Sequence, residues 1–254
     1  MELENKISVV INTYQAELHL AKVLESVKTF DEVVVCDMES TDNTLKIAEQ
    51  YGCKIVVFPK RDYNICEPAR NFAIQSATSP WVLVVDADEI VPPSLRDYLY
   101  RRIAEPDCPQ GLYIPRRNFF MGQEQHSYWP DYQLRFFVRE GIEWPPYVHA
   151  IPKVQGRVDH LPRKLDLAFY HLANDTLSTI MKKTDSYTDN EVDKRMSRNY
   201  GLGALLGRPL WRFLRNYFLK GGWRDGLPGL IHAGMTAVYQ FVLVAKCIER
   251  KRKC

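Results

Sequence analysis

The sequence lacks several signatures that would settle its class at once. Its six cysteines (Cys36, Cys53, Cys66, Cys108, Cys247 and Cys254) form no C-x-x-C pair and no zinc-type spacing. Reduced thiols in a cytoplasmic protein are the expected state, with Cys36 a small hydrophobe inside an apolar run. No G-x-G-x-x-G follows the first strand-like run and no G-x-x-x-x-G-K-[ST] occurs, which disfavours a dinucleotide-binding fold and a P-loop enzyme. No secretory leader is expected, because Met1–Lys6 is polar and the apolar run after it is too short. Acidic residues are scarce at one end: from Arg195 to Cys254 there are 12 Lys/Arg against only Asp225 and Glu249. The overall charge of +3 therefore hides a tail of +10 on a body of −7. Such a tail suits an anionic surface, either nucleic acid or a membrane leaflet.

What is present centres on Trp81-Val82-Leu83-Val84-Val85-Asp86-Ala87-Asp88-Glu89. A short, continuously apolar run reads as a strand buried on both faces. It ends in charge, so Asp86, Ala87 and Asp88 are expected just beyond its C-terminal end, where open α/β sheets bind ligands. Alternation would put Asp86 and Asp88 on one side, facing one cation such as Mg²⁺ or Mn²⁺.

Around this run, strands and helices alternate. Ile7–Ile11, Val33–Cys36 and Lys54–Phe58 read as strands, and 17–29, the stretch from Ser40-Thr41-Asp42 to Tyr51, and 67–77 read as helices. Pro68 suits the first turn of the last of these. The pattern implies an α/β fold with a mostly parallel sheet covered on both faces. Thr13-Tyr14, Asp37 and Asp86/Asp88 then share one edge of that sheet.

Four stretches in this order, Thr13-Tyr14-Gln15-Ala16-Glu17, Asp37–Thr44, Ala69-Arg70-Asn71-Phe72-Ala73 and Asp86-Ala87-Asp88-Glu89, resemble the family 2 glycosyltransferases. The segments Tyr113–Gly122 and Trp129–Phe137 resemble the lipopolysaccharide-core glucosyltransferase branch in particular. The resemblance implies a GT-A fold (Rossmann-like, mostly parallel sheet) over residues 1–172, using a nucleotide-sugar donor. A helical, membrane-associating region over 173–254 would follow.

It also implies roles. Thr13, Tyr14 and Asp37 would contact the nucleoside, with Asp37 on the uracil or simply ending a turn before Ser40. Glu17 would reach the ribose or act as a first-turn carboxylate. Arg70, near a helix start, would pair with phosphate. Asp86, Ala87 and Asp88 would meet the donor, with Asp86 and Asp88 holding Mg²⁺ or Mn²⁺ and Glu89 behind them. His149, His160 and His171 are candidates for a further metal ligand; His149 aligns with a family His-Glu pair whose Glu is here Ala150, and His171, which follows an apolar stretch, is preferred. Asp131 would be the general base of an inverting transfer. Gln133 and Arg135, on one strand face, would hold donor phosphates or acceptor. Trp129, Tyr132 and Trp144 could stack on sugar rings or fill the core.

In the tail, Arg208, Arg212 and Arg215 recur at i, i+4 and i+7 beside Leu210, Trp211, Phe213, Leu214, Tyr217 and Phe218, as in an interfacial helix. Gly226–Ala245 carries no formal charge, yet Pro228, Gly229, His232, Gly234 and Gln240 make it a poor span. An interfacial pair of helices is expected, or else a pair closing the core or a dimer interface. Aromatics alternating with aliphatics argue against nucleic acid. The expected activity is transfer of a hexose, glucose from UDP-glucose, to a lipid-linked or lipopolysaccharide-core saccharide at the inner membrane face. The rival readings are a membrane-bound, non-catalytic sugar-nucleotide or scaffold protein and a sugar nucleotidyltransferase. The latter lacks a triphosphate-binding loop after the first strand.

Overall fold

The structure is a computed structural model describing residues 4–61, 63, 65–146, 150–172 and 176–253. In chain order the elements are β1 (Ile7–Thr13), α1 (Leu20–Val27), β2 (Glu32–Asp37), α2 (Thr44–Gln50), β3 (Lys54–Val57), α3 (Glu67–Gln75), β4 (Trp81–Asp86) and β5 (Glu89–Ile90). Then come α4 (Pro93–Ile103), β6 (Gly111–Arg117), β7 (Phe119–Phe120), β8 (Gln123–Glu124), β9 (Asp131–Val138), β10 (Val158–His160) and β11 (Phe169–His171). Three helices close the chain: α5 (Leu177–Arg195), α6 (Leu202–Leu214) and α7 (Gly226–Lys253). They fall into two compact units, one of residues 1–117 and 130–172, the other of 118–129 and 173–254. The excursion 118–129 thus groups with the C-terminal helices, not with the strands that flank it.

The first unit is built on one sheet in the order β3-β2-β1-β4-β9-β6-β11-β5, with β10 beside β6. The β1–β4 strands pair in parallel, as their unbroken apolar runs require, and β9 lies antiparallel between β4 and β6. Every residue of β1 is buried. One face packs Leu20, Val23, Leu24 and Val27 of α1 and Leu95, Leu99 and Ile103 of α4. The other packs Ala69, Ala73 and Ile74 of α3 with Phe137 and Trp144. Burial on both faces fixes the register of the central strands, because a one-residue slip would exchange the two sets.

The register between β6 and β9 slips once. Leu112 faces Phe136 and Tyr113 faces Leu134, which leaves Arg135 as the extra residue of a bulge. A bulge bends its strand and re-aims a side chain. Gln133 and Arg135, expected on one strand face by alternation, meet different partners, Asp131 and Asp86.

In the second unit α7 packs against both α5 and α6. Val192, Leu243 and Cys247 form its small core. Charge ties the helices together at one end, where Lys246 reaches Asp185 and Asp189, both at 2.7 Å, and Arg250 reaches Asp193 at 2.7 Å. No residue of α6 is buried, and Leu202, Leu206, Leu210, Trp211 and Leu214 are exposed along it. The stretch Gly222–Arg252 is long and apolar enough to cross a membrane by length and composition.

Candidate active site

The C-terminal ends of β1, β2 and β4 converge as the strand order requires. Asp86 is the last residue of β4 rather than the first beyond it. Its carboxylate is held by two arginines: Arg70 Nη2 donates to Oδ1 at 2.9 Å and Arg135 Nη2 to Oδ2 at 2.6 Å. Both guanidiniums are buried and lie over the Trp144 ring, 4.7 Å away for Arg70 and 5.5 Å for Arg135. Burial opposes ionisation of Asp86, but Arg135 and Arg70 outweigh it and hold the carboxyl well below the usual carboxylate range. Two cations share one anion here. Among the described residues, Nε and Nη1 of both arginines are buried without a hydrogen-bond partner, as is Nε1 of Trp144. Asn12, paired with Asp86 in the β1–β4 register, leaves both its amide atoms in the same condition. Unsatisfied buried donors are costly, so this cluster is suited to a ligand rich in acceptor oxygens.

Glu89 joins this cluster to the next. It is fully buried, accepts the Asp86 backbone N–H at 3.0 Å and takes Arg116 Nη1 at 3.1 Å. Arg116 turns its Nε and Nη2 to Asp131 Oδ2, at 3.0 and 2.7 Å. Burial works against the Arg116 charge, but Glu89 and Asp131 overcome it and push its pKa up. Gln133 Nε2 donates to the other oxygen of Asp131 at 2.9 Å. Asp131 opens β9, opposite Arg116 in the β6–β9 register.

Asp88 takes a different partner from Asp86. Its Oδ2 lies 3.4 Å from His171 Nε2. The approach is fixed by backbone: His171 pairs with Glu89 between β11 and β5, and Leu172 N–H donates to the Asp88 carbonyl at 2.7 Å. The two carboxylates are thus engaged differently: the arginines take both oxygens of Asp86, and Asp88 lies beside His171. Among the described residues, no group of three or more His, Cys, Asp or Glu side chains is placed to hold a metal. The Asp88–His171 pair still fits Mg²⁺ or Mn²⁺ in donor type, with substrate phosphate oxygens and water completing the shell. His160 instead stacks on Tyr113 at 4.5 Å and meets the edge of Tyr132 at 4.8 Å. His149 lies outside the described residues.

The nucleoside-side residues form a stitched pair of loops. Asp37 is fully buried, taking Thr13 Oγ1 at 2.8 Å, Ser40 Oγ at 2.6 Å and Ser40 N–H at 2.8 Å. Glu17 Oε2 accepts from the backbone N–H of Asn43 at 3.0 Å and from its side chain at 2.8 Å, at the start of α2. In this state both carboxylates hold turns. Tyr14 is exposed beneath Lys60, 4.7 Å from its ring centroid. Ala87 is half-buried against the core. Trp144 and Tyr132 are not free platforms: Trp144 is buried under the arginines and exchanges two hydrogen bonds with Asn71, and Tyr132 donates to the Leu161 carbonyl. Trp129 groups with the other unit. Asn12 and Arg116 carried no sequence signal beyond their places at strand ends.

With this geometry in place, the comparisons with known proteins decide the family. The model of "Glycosyl transferase family 2" matches residues 8–152. The chain belongs to this family. Glycosyl transferase family 2 membership makes it a transferase, and its sheet carries the GT-A arrangement. It is 29% identical over 259 residues to the lipopolysaccharide core biosynthesis glycosyltransferase LpsC of Rhizobium meliloti, covering 96% of this chain and 92% of the relative. It is 25% identical to an uncharacterized glycosyltransferase of Rickettsia typhi, over 98% of this chain and 88% of that one. Among solved structures, the mannosyltransferase PcManGT of Pyrobaculum calidifontis, in complex with GDP-Man and Mn²⁺, matches with a TM-score of 0.52 and 15% identity. That match covers 98% of this chain and 75% of that one, and it bears on the fold alone.

Proposed function

We propose that the chain transfers a hexose, glucose from UDP-glucose, with inversion and with a divalent metal, to a lipopolysaccharide-core or other lipid-linked saccharide. The observation that carries this reading is the continuous network Arg70/Arg135–Asp86–Glu89–Arg116–Asp131, flanked by the Asp88–His171 pair. Buried guanidiniums with unpaired N–H groups suit the negative charge of a nucleoside diphosphate. Asp88 and His171 would hold the metal. A bound divalent cation supplies Lewis-acid stabilisation of the departing diphosphate. Asp131, oriented by Arg116 and Gln133, would accept the proton of the acceptor hydroxyl as that oxygen attacks the anomeric carbon. Attack by the acceptor itself inverts the centre and needs no covalent sugar intermediate. Thr13, Tyr14, Glu17 and Asp37 would frame the nucleoside once the loops rearrange around it.

The similarity to a lipopolysaccharide-core enzyme supports the acceptor class. The helical unit supports an amphiphilic one. Its α6 presents exposed Leu206, Leu210, Trp211 and Leu214 beside Arg212 and Arg215, a composition that binds anionic leaflets from the interface. Localisation at the inner face of the cell membrane follows from this reading. The test is a donor screen by thermal unfolding with Mn²⁺. UDP-glucose should raise the midpoint through linkage, and the absence of stabilisation by every UDP-sugar would contradict the reading.

A further inference from the structure

The strands that carry Arg116 and Asp131 are neighbours, and Arg116 faces Asp131 as the last pair of their ladder. A short turn would suffice to connect them. The chain instead inserts 118–129, which folds with the C-terminal helices. Within that unit the excursion is closed by the Gln125 N–H donating to the Asn118 carbonyl at 2.9 Å, and it carries the small hairpin β7–β8. Phe120 is buried, its ring 5.3 Å from that of His232 on α7, and Tyr128 lies 4.9 Å from the same imidazole.

One carboxylate holds the excursion. Asp225 sits in the turn Gly222–Asp225 between α6 and α7. Its side chain is buried, and it accepts the His126 backbone N–H at 2.9 Å, His126 Nδ1 at 2.7 Å and the Ser127 N–H at 3.4 Å. An ionised carboxylate only accepts, so the Nδ1–H donates and Nε2 is left to solvent on a largely exposed ring. The turn itself is tightly built: a Cβ on Gly229 would fall 2.0 Å from the Gly222 carbonyl oxygen, and Gly221 and Gly226 both have positive φ. Among the last sixty residues Asp225 and Glu249 are the only acids. Asp225 is spent on this contact inside an otherwise basic and apolar segment.

Both ends of the excursion continue without a break into the catalytic strands. We propose that Asp225 is a positioning residue for glycosyl transfer: by pinning His126 and Ser127 it fixes the loop whose ends carry Arg116 and Asp131. The proposal rests on Asp131 being the base.

The test uses the full chain with Mn²⁺, UDP-glucose and purified rough-type lipopolysaccharide, measuring UDP release and, separately, donor affinity by calorimetry. Asp225→Asn and His126→Ala should lower kcat roughly ten- to a hundredfold, as a small misplacement of a reacting group does, with donor affinity unchanged. His126→Asn, which keeps a donor near the position of Nδ1, should recover most of the loss. Undiminished kcat in both Asp225→Asn and His126→Ala would overturn the proposal. So would a parallel loss of kcat, donor affinity and thermal midpoint with no recovery in His126→Asn. Asp131→Asn is run alongside: full turnover there would remove the base itself, an outcome distinct from a silent Asp225.

Discussion

Arg116 directs two of its N–H groups, at 3.0 and 2.7 Å, onto a single oxygen of Asp131, and its third contact goes to the fully buried Glu89. A fork of this kind fixes both position and orientation, which a lysine cannot reproduce. Arg116→Lys should therefore keep its charge and still lose rate. The expectation is a fall in kcat with donor affinity preserved, read by steady-state kinetics beside calorimetry.

Asp86 has the opposite arrangement, one anion between two cations. Removing its charge strands two buried guanidiniums, and breaking a buried pair in this way costs about 3–5 kcal/mol. Asp86→Asn should accordingly lower unfolding free energy in urea by that order, before any effect on activity is considered.

The same carboxyl gives a pH signature. Its folded pKa lies below the unfolded value because Arg135 and Arg70 outweigh burial. Its contribution to stability is then fully present above the unfolded carboxylate pKa of about 4 and is lost as pH falls below it. Wild-type stability should drop through that acid window, and Asp86→Asn should show a flatter acid limb. Near neutral pH Asp86 stays ionised and does not gate turnover.

The Asp88–His171 pair predicts where metal acts. Mn²⁺ should stabilise the UDP-bound protein by about 2.7 kcal/mol of linkage at a hundredfold excess over Kd, read as a higher unfolding midpoint. Asp88→Asn and His171→Ala should each abolish that increment. UDP binding without metal should persist through the arginine cluster.

For the helical unit, Trp211→Asp with Leu214→Asp should release the chain from vesicles containing phosphatidylglycerol, measured by co-sedimentation. Added salt should weaken wild-type binding through screening of Arg212 and Arg215.

The parallel half of the sheet was legible because Val9–Ile11, Val33–Cys36 and Trp81–Val85 are unbroken apolar runs. The other half was not. β5, β10 and β11 have two or three residues each, too short for any period, and Pro115 interrupts β6. The buried face of α5 consists of Thr184, Thr188 and Val192, so it carries little apolar pattern; charge pairs with α7 replace it. At the site, Asp86, Asp88, Asp131, Arg70 and His171 were visible as residue types at strand or helix ends. Their partnering was not. The bulge at Arg135 accompanies a second arginine on Asp86, while Asp88 lies beside His171, and neither pairing follows from strand alternation.

The measurement that tests the account most directly is UDP release from UDP-glucose with Mn²⁺ and rough-type lipopolysaccharide, in wild type and in Asp131→Asn. The account predicts transfer in the wild type and a loss of roughly a hundred- to ten-thousandfold in Asp131→Asn, with donor affinity unchanged. Undiminished transfer by Asp131→Asn would contradict it.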